Sequence, residues 1–460
     1  MTGYRLRRRG VIAGLAAALA GGAALATARR RSEPPPNVLF ILADDLGVHD
    51  LSCLGRPDYR TAHIDRLFGD GVILDQAYSN SPTCSPTRTA LFSGRYPARF
   101  EVGLYDPLPR GRAIGFPPAE ANMVRAFRSA QYRTALVGKW HLGLPPGSGP
   151  QRCGYEEFFG PLESGMDYVS HRPMGAGPED PSMLFEGEQP VDTQGYATDL
   201  FTDRACHLVE RWRRQPFFLS LHYTAPHFPW QAPGDSPTGR GISGNHDTGS
   251  MQTYARMMQA LDAGVGRVLR TLETCGVAER TIVVFTSDNG GERFSYQWPL
   301  RGTKTELWEG GIRVPAAVRW PARLRPRRVT TPAMSMDWMP TLLALAGQSL
   351  PEVILDGIDL TGALTGLATT PDRTLYWRTQ DMAAVRRGRW KFVRDETLEY
   401  LFDLSSDPAE RANRRLRDAV VHTEMREAFD LWNQQMLPVP DDARLPRVQR
   451  RREFESLQRQ

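Results

Sequence analysis

The sequence predicts a doubly wound α/β fold with a mostly parallel sheet, followed by a smaller α+β unit. Short, unbroken apolar runs recur along the 460 residues, at 37–42, 134–137, 216–221 and 281–285. Runs of this kind are typical of strands that are buried on both faces, as in a parallel sheet covered by helices. Segments with helical spacing lie between them, and this alternation of strand and helix is the pattern of a doubly wound domain.

The helical segments show apolar residues on one side. Residues 121–129 and 254–272 have this spacing, and residues 342–346 predict a helix that closes the larger domain. The second segment contains a stripe that we expect to pack in the core, formed by Met257, Met258, Leu261, Val265 and Val268. The larger domain is therefore predicted to span residues 37–347.

From Arg373 onward the pattern changes to short strands joined by turns. The predicted strands cover residues 374–377, 382–386, 390–394 and 399–403, and a helix at 419–436 follows. This order predicts a small antiparallel sheet with one helix, packed on the larger domain and spanning residues 373–440. The basic tail at 441–460 is predicted to be disordered and solvated.

The first 28 residues have the pattern of a cleaved export signal. Basic residues precede an alanine- and glycine-rich apolar stretch at 11–28, which ends in Ala26-Thr27-Ala28, a cleavage pattern. Arg8-Arg9 ahead of two apolar residues resembles a twin-arginine signal. The alternative is an uncleaved anchor, which the alanine and glycine content disfavours. We expect an exported protein, periplasmic or secreted, without stable membrane insertion.

Charge and cysteine spacing argue against a nucleic-acid site and against a zinc or redox motif. The formal charge is +5, and loss of the four arginines within residues 1–28 reduces it to +1. A nearly neutral body gives no electrostatic reason to bind nucleic acid. The five cysteines include no C-x-x-C spacing. Sequence leaves open whether disulfides form among four of them, Cys53, Cys153, Cys206 and Cys275.

Acidic residues follow two of the predicted strands directly. The run at 37–42 leads into Asp44 and Asp45, and the run at 281–285 leads into Asp288 and Asn289. Ligands of open α/β sheets bind at the carboxyl ends of strands. Three carboxylates and one amide oxygen suit a hard divalent cation, Ca²⁺ or Mg²⁺, better than zinc. Either segment alone is also typical of a turn or a helix cap, but two such strand ends favour a metal site.

Basic residues and histidines lie beyond other strand ends. Lys139 and His141 follow the run at 134–137, His227 follows the run at 216–221, and Lys304 lies after the second acidic segment. A single residue of this kind is more often structural or solvated. Together with Arg88 they supply cations and proton donors beside a metal, which suits an anion with several oxygens.

The segment Cys84-Ser85-Pro86-Thr87-Arg88, followed by Gly94-Arg95, resembles the signature of the type I sulfatases. Further segments resemble that family in the same order, at 137–143, 222–229, 309–315 and 401–413. The whole is most similar to arylsulfatase A-like and N-acetylgalactosamine-6-sulfatase-like enzymes. The resemblance implies an alkaline-phosphatase-like α/β fold with a smaller C-terminal subdomain, and hydrolysis of an aryl or carbohydrate sulfate ester.

The resemblance also implies a modified residue and a metal. Cys84 is expected at a helix start, where free N–H groups favour an anion. A formylglycine-generating enzyme would convert Cys84 to formylglycine, whose hydrate is the nucleophile. Calcium is the implied ion, with magnesium as the alternative. The implied metal ligands are Asp44, Asp45, Cys84, Asp288 and Asn289.

The implied catalytic residues each have a role. Arg88 would steady the formylglycine hydroxyl, whereas Lys139 and Lys304 would neutralise the sulfuryl group. His227 would be the general acid for the leaving alcohol, and His141 the base on the second hydroxyl.

Two alternatives and the identity of the substrate stay open at the level of sequence. One alternative is a phosphate or phosphonate ester hydrolase on the same scaffold, and the other is a non-catalytic binder of sulfated glycans if Cys84 stays a thiol. Ser164 is a candidate contact to substrate sulfate, but no motif anchors it. The loops expected to set specificity lie at 105–118, 161–193 and 231–250.

Overall fold

A mostly parallel sheet runs through the middle of the protein in a computed structural model, which describes residues 34–106, 108, 112–240 and 248–443. The predicted export signal and nearly all of the predicted tail therefore lie outside the described residues. The strands are β1 (Asn37–Asp44), β2 (Val72–Leu74), β3 (Ala77–Tyr78), β4 (Arg133–Gly138), β5 (Glu157–Pro161), β6 (Leu184–Glu186), β7 (Gln189–Pro190), β8 (Phe217–Pro226), β9 (Thr281–Ser287), β10 (Ala316–Arg319), β11 (Arg327–Val329), β12 (Ala333–Met334), β13 (Thr374–Arg378), β14 (Met382–Arg387), β15 (Trp390–Asp395) and β16 (Leu398–Asp403). The α-helices are α1 (Ala62–Gly69), α2 (Cys84–Ser93), α3 (Met123–Ser129), α4 (Ala197–Trp212), α5 (Met251–Thr274), α6 (Glu309–Ile312), α7 (Trp338–Leu345), α8 (Thr361–Thr365) and α9 (Ala419–Asn433).

Ten of these strands form the large sheet, in the order β11-β2-β10-β9-β1-β8-β4-β5-β6-β7. At its centre β9, β1, β8, β4 and β5 pair in parallel. Only β10 and β6 run against their neighbours. The four apolar runs are β1, β4, β8 and β9, which lie in this parallel centre, so the predicted fold class is confirmed.

Both faces of the sheet are covered, as the unbroken apolar runs predict. Val38, Phe40 and Leu42 of β1 pack in one cluster with α3 and α7. Leu39 and Ile41 point the other way and pack in a second cluster with α1, α4 and α5. Because every residue of β1 is buried, its sequence shows no polar alternation. The methionine-containing stripe of α5 lies in the second cluster, as predicted.

The C-terminal part contains a four-stranded antiparallel sheet in the order β13-β14-β15-β16. Its apolar side chains pack with α9 and with Tyr78, Tyr96 and Trp308, which precede it in the chain. This confirms the predicted antiparallel sheet with one helix, although the helix ends at Asn433 rather than at residue 436.

The strands missing from the sequence prediction are mainly at the edges of the large sheet. The strands β2, β6, β7, β10 and β11 have two to four residues each. Such lengths are too short for a hydrophobic pattern to distinguish a strand from a turn. Across the described ranges, none of the helices combines the length and apolar character needed to cross a bilayer.

Candidate active site

The carboxyl ends of β1 and β9 bring the predicted acidic residues together. The two strands are parallel neighbours, with Ala43 opposite Ser287. Asp44 ends β1 and Asp45 follows it, while Asp288 comes directly after β9. The backbone N–H of Asp45 donates to Asp288 Oδ1 at 3.2 Å. The acidic residues meet because β1 and β9 are parallel and in register, so their carboxyl ends lie at the same edge of the sheet.

Cys84 faces this edge from the first position of α2. Its Sγ lies 3.3 Å from Asp44 Oδ1 and 3.9 Å from Asp45 Oδ1. With His227 these residues offer four donor atoms that all lie within 4.8 Å of one another. Burial, together with the carboxylates of Asp288 and Asp44, raises the pKa of the Cys84 thiol well above its usual value. The unmodified side chain is therefore a thiol and a poor nucleophile at neutral pH.

The start of α2 is already partly capped. The carboxylate of Asp106 accepts the backbone N–H of Ser85 through Oδ2 at 3.1 Å. Burial raises the pKa of Asp106, and the charges of Lys304 and Lys139 oppose that rise. One of the N–H groups expected to face an anion is thus bonded to a carboxylate, which the motif around Cys84 did not reveal.

Arg88 holds Asp288 in place. Its Nε and Nη2 donate to Asp288 Oδ2 at 3.0 and 2.9 Å, and its Nη1 donates to the carbonyl of Lys139 at 3.0 Å. Nη2 also lies 3.6 Å from Asp44 Oδ1. The guanidinium therefore fixes the orientation of one acidic residue and links α2 to the segment that follows β4.

The two lysines form ion pairs with the two acidic residues at the end of β1. Lys139 Nζ lies 2.7 Å from Asp44 Oδ2, and Lys304 Nζ lies 2.7 Å from Asp45 Oδ2. Burial would raise the pKa of each carboxyl group, but the neighbouring cations outweigh it, so the pKa of Asp44 and of Asp45 is lowered. Both are therefore ionised at neutral pH, although they are almost completely buried.

Ser164 lies between Lys139 and His227. Lys139 Nζ donates to Ser164 Oγ at 3.1 Å, and the same oxygen lies 3.2 Å from His227 Nε2. His227 Nε2 also lies 3.6 Å from Asp45 Oδ2. Burial and Lys304 lower the pKa of His227 to about 4. The structure thus brings Ser164 into the cluster, although no sequence motif surrounds it.

Two polar atoms of the site are buried and receive no hydrogen bond from the described residues. One is Asn289 Oδ1, whose amide nitrogen donates to Asp45 Oδ1 at 2.8 Å. The other is His141 Nδ1. Burial, and then the charge of Lys139, lowers the pKa of His141 well below its usual value, so the imidazole is neutral. An unpaired buried oxygen beside ionised carboxylates suits a hard cation, and an unpaired neutral imidazole nitrogen suits a proton acceptor.

Two residues of the site have a strained backbone. Asp45 and His141 adopt φ angles of 63° and 61°. This left-handed region is unfavourable for residues with a Cβ and occurs where surrounding structure enforces it, often at functional sites. The fold thus holds two predicted site residues in positions that their local sequence does not favour.

Sequence comparison places the chain among known enzymes. The sequence profile of the sulfatase family matches residues 36–348. Steryl-sulfatase of Mus musculus is 34% identical over 72% of this chain and 65% of its own length. Arylsulfatase A of Homo sapiens is 32% identical over 82% of this chain and 83% of its own length. N-acetylgalactosamine-6-sulfatase of Canis lupus familiaris is 32% identical over 85% of this chain and 75% of its own length.

Solved structures share the fold of this chain. The crystal structure of Ps i-CgsB in complex with k-i-k-neocarrahexaose matches with a TM-score of 0.79 and 29% identity, covering 88% of this chain and 94% of that chain. Phosphonate monoester hydrolase of Agrobacterium radiobacter shares the fold, with a TM-score of 0.64 and 20% identity over 87% of this chain and 96% of that chain. The architecture is thus the alkaline-phosphatase-like one that the resemblance implies. The chain belongs to the sulfatase family and is a hydrolase of sulfuric esters.

Proposed function

We propose that the protein cleaves an aryl or carbohydrate sulfate ester, with a formylglycine formed from Cys84 as the nucleophile and a divalent cation at the ends of β1 and β9. The observation that carries the proposal is the convergence on one buried edge of Cys84, two acidic residues and two lysines. Each lysine lies 2.7 Å from one of the carboxylates. A pocket of this kind combines a metal site with fixed positive charge for an anion.

The metal site is proposed to consist of Asp44, Asp45, Asp288 and Asn289, with residue 84 as a further ligand. Oxygen ligands of this number and charge suit Ca²⁺, with Mg²⁺ as the alternative. The ionised state of Asp44 and Asp45 supports the assignment, as does the unpaired Oδ1 of Asn289. A bound ion would supply a Lewis acid that polarises a sulfate oxygen and lowers the pKa of a neighbouring hydroxyl.

The residues around the metal would orient the substrate and neutralise its charge. A hydrated aldehyde at position 84 would supply a hydroxyl nucleophile that the high-pKa thiol does not provide. Lys139 and Lys304 retain further N–H groups beyond those bonded to Asp44 and Asp45, and these would donate to the sulfate oxygens. Ser164 would bind the same sulfate oxygens, because its hydroxyl lies beside Lys139 and accepts a hydrogen bond from it.

The two histidines are suited to opposite proton transfers. His227 Nδ1 contacts the carbonyl oxygen of Phe228, which leaves Nε2 facing the site. A bound sulfate next to Nε2 would raise the pKa of His227 and favour the protonated form that the leaving alcohol requires. His141 is neutral and its Nδ1 is unpaired, so it would accept the proton of the second hydroxyl of residue 84.

The natural substrate class is proposed only as aryl or carbohydrate sulfate. One relative is named for a sterol, another for N-acetylgalactosamine, and a solved neighbour holds k-i-k-neocarrahexaose. We also propose export to the periplasm or the medium, which rests on the pattern of residues 1–28. Maturation by a formylglycine-generating enzyme is part of the same proposal.

Mass spectrometry of the tryptic peptide 67–88 from the native host tests the proposal. We expect the mass of this peptide to be lower than that of the unmodified form by the mass difference between a cysteine and a formylglycine residue. Kinetics with an aryl sulfate and the matching aryl phosphate complete the test, because the proposal requires a clear preference for the sulfate. A peptide that retains the thiol in active protein would refute the nucleophile assignment.

A further inference from the structure

A buried ion cluster joins the C-terminal sheet to the loop that carries Lys304. Lys391 of β15 is completely buried, and its Nζ lies 2.9 Å from Glu309 Oε1 and 2.8 Å from Glu410 Oε1. Glu309 opens α6, five residues after Lys304, and Glu410 lies beyond β16. Both glutamates are 1% exposed. Charges this deeply buried are costly unless they are paired, so the cluster constrains the three elements that meet there.

The backbone N–H and both carboxylate oxygens of Glu309 have polar partners. Its backbone N–H donates to Glu410 Oε2 at 2.6 Å. Its Oε2 accepts from Tyr78 Oη at 2.8 Å and from Arg313 Nη1 at 2.9 Å, and its Oε1 faces Lys391. The first turn of α6 is therefore fixed by β3, by the C-terminal sheet and by the segment around Glu410.

The same turn packs on the backbone that directly follows Asn289, one of the predicted metal ligands. The N–H of Gly290, which follows Asn289, donates to the carbonyl of Gly311 at 3.0 Å. A Cβ on Gly290 would overlap the carbonyl oxygen of Gly310. The backbone N–H of Lys304 donates to the carbonyl of Gly291 at 3.0 Å. A shift of α6 therefore moves backbone that is joined to both Asn289 and Lys304.

We propose that Lys391 and Glu410 are positioning residues for sulfate ester hydrolysis. They act through Glu309, which fixes the loop at 301–311 against the backbone that follows Asn289. The inference rests on the proposed function for the roles of Lys304 and Asn289. A displacement of about 1 Å at a reacting group lowers a rate by up to about 100-fold, so a small shift of this loop is sufficient to lower turnover.

The variant Glu410→Gln tests the inference. At a pH above the pKa of Glu410, this variant loses the negative charge that pairs with Lys391, while its amide oxygen still accepts the N–H of Glu309. The control is Arg373→Met, which removes another largely buried ion pair, between Arg373 at the start of the C-terminal part and Asp337 directly before α7. Both variants are compared with the full-length protein by circular dichroism, Ca²⁺ calorimetry, kinetics with an aryl sulfate, and hydrogen–deuterium exchange.

We expect Glu410→Gln to remain folded, with kcat about 10-fold lower and KM changed little, because loss of positioning acts on the transition state. Ca²⁺ affinity should fall, and exchange should rise in peptides that cover residues 289–304. Arg373→Met should lower the melting temperature without these three changes. If Glu410→Gln fails to fold, the charge-neutral double variant Lys391→Met with Glu410→Gln replaces it, since both charges are then removed.

Unchanged exchange at 289–304, together with wild-type kcat and Ca²⁺ affinity in a folded Glu410→Gln protein, would overturn the inference and leave the cluster a purely stabilising role. Failure of the proposed function has a different signature. The wild-type protein would then show no sulfatase activity, while the exchange comparison between Glu410→Gln and Arg373→Met would still decide whether the cluster fixes this loop.

Discussion

Breaking the pair formed by Arg88 and Asp288 tests how the site is held together. The side chains are 2% and 0% exposed, and two guanidinium nitrogens donate to one carboxylate oxygen. The change Arg88→Met leaves that carboxylate buried without its cation and removes the bond to the carbonyl of Lys139. Removal of one partner from a buried pair costs about 3–5 kcal/mol, and we expect the free energy of unfolding to fall by that amount.

A double-mutant cycle separates this pairing from general damage to the core. Asp288→Asn alone removes the charge but leaves Arg88 within 3.6 Å of Asp44, so its cost should be smaller. In the double variant, Arg88→Met with Asp288→Asn, both charges of the pair are absent, so neither is buried without its partner. We expect a coupling energy of about 2–3 kcal/mol between the two changes. Denaturant unfolding in the presence of EDTA measures all four proteins without a contribution from bound metal. If the two single effects add within about 0.5 kcal/mol, the reasoning is refuted.

Three further predictions concern chemistry, metal and pH. Cys84→Ala should abolish turnover at a cost of roughly 1 kcal/mol in stability, and near-wild-type kcat in a folded variant would contradict this. Asp288→Ala should lower Ca²⁺ affinity and activity together, as measured by calorimetry and kinetics; unchanged affinity would place the metal elsewhere. Burial and Glu309 raise the pKa of Glu410 from 4.5 to about 7, against the opposing charge of Lys391. Its contribution to stability is thus fully present below pH 4.5 and lost as the pH rises through about 7. The difference in unfolding free energy between wild type and Glu410→Gln should decline across that window, and a constant difference would argue against the raised pKa.

The parts predicted from sequence are those with strong local signals. The runs that became β1 and β9 are unbroken because both faces of the sheet are covered, and their acidic ends follow from parallel register. Asp44 and Asp288 were therefore recognisable as neighbours although 244 positions separate them. The motif around Cys84 identified a helix start correctly, since the residue opens α2.

The remaining features depend on contacts that leave no local trace. Ser164 reaches the site through a loop after β5, and a lone serine in a loop resembles any solvated serine. Asp106, which caps the start of α2, likewise lies in a loop without any local sequence signal for this contact. In the buried cluster, Lys391 lies 82 positions and Glu410 lies 101 positions along the chain from Glu309. Three charged residues so far apart in the sequence predict a solvated surface rather than a buried ion cluster.

The depth of Cys84 has a consequence for the timing of its proposed conversion to formylglycine. Cys84 is 1% exposed, and from the first position of α2 its Sγ faces the sheet edge. Under the proposed function, an enzyme that oxidises this thiol would have to hold the surrounding segment in its own active site before that segment packs against the sheet. A chain that folds first would then stay inactive until it unfolds again. In a foreign host, the race between modification and folding, rather than the stability of the finished protein, would limit the yield of active molecules.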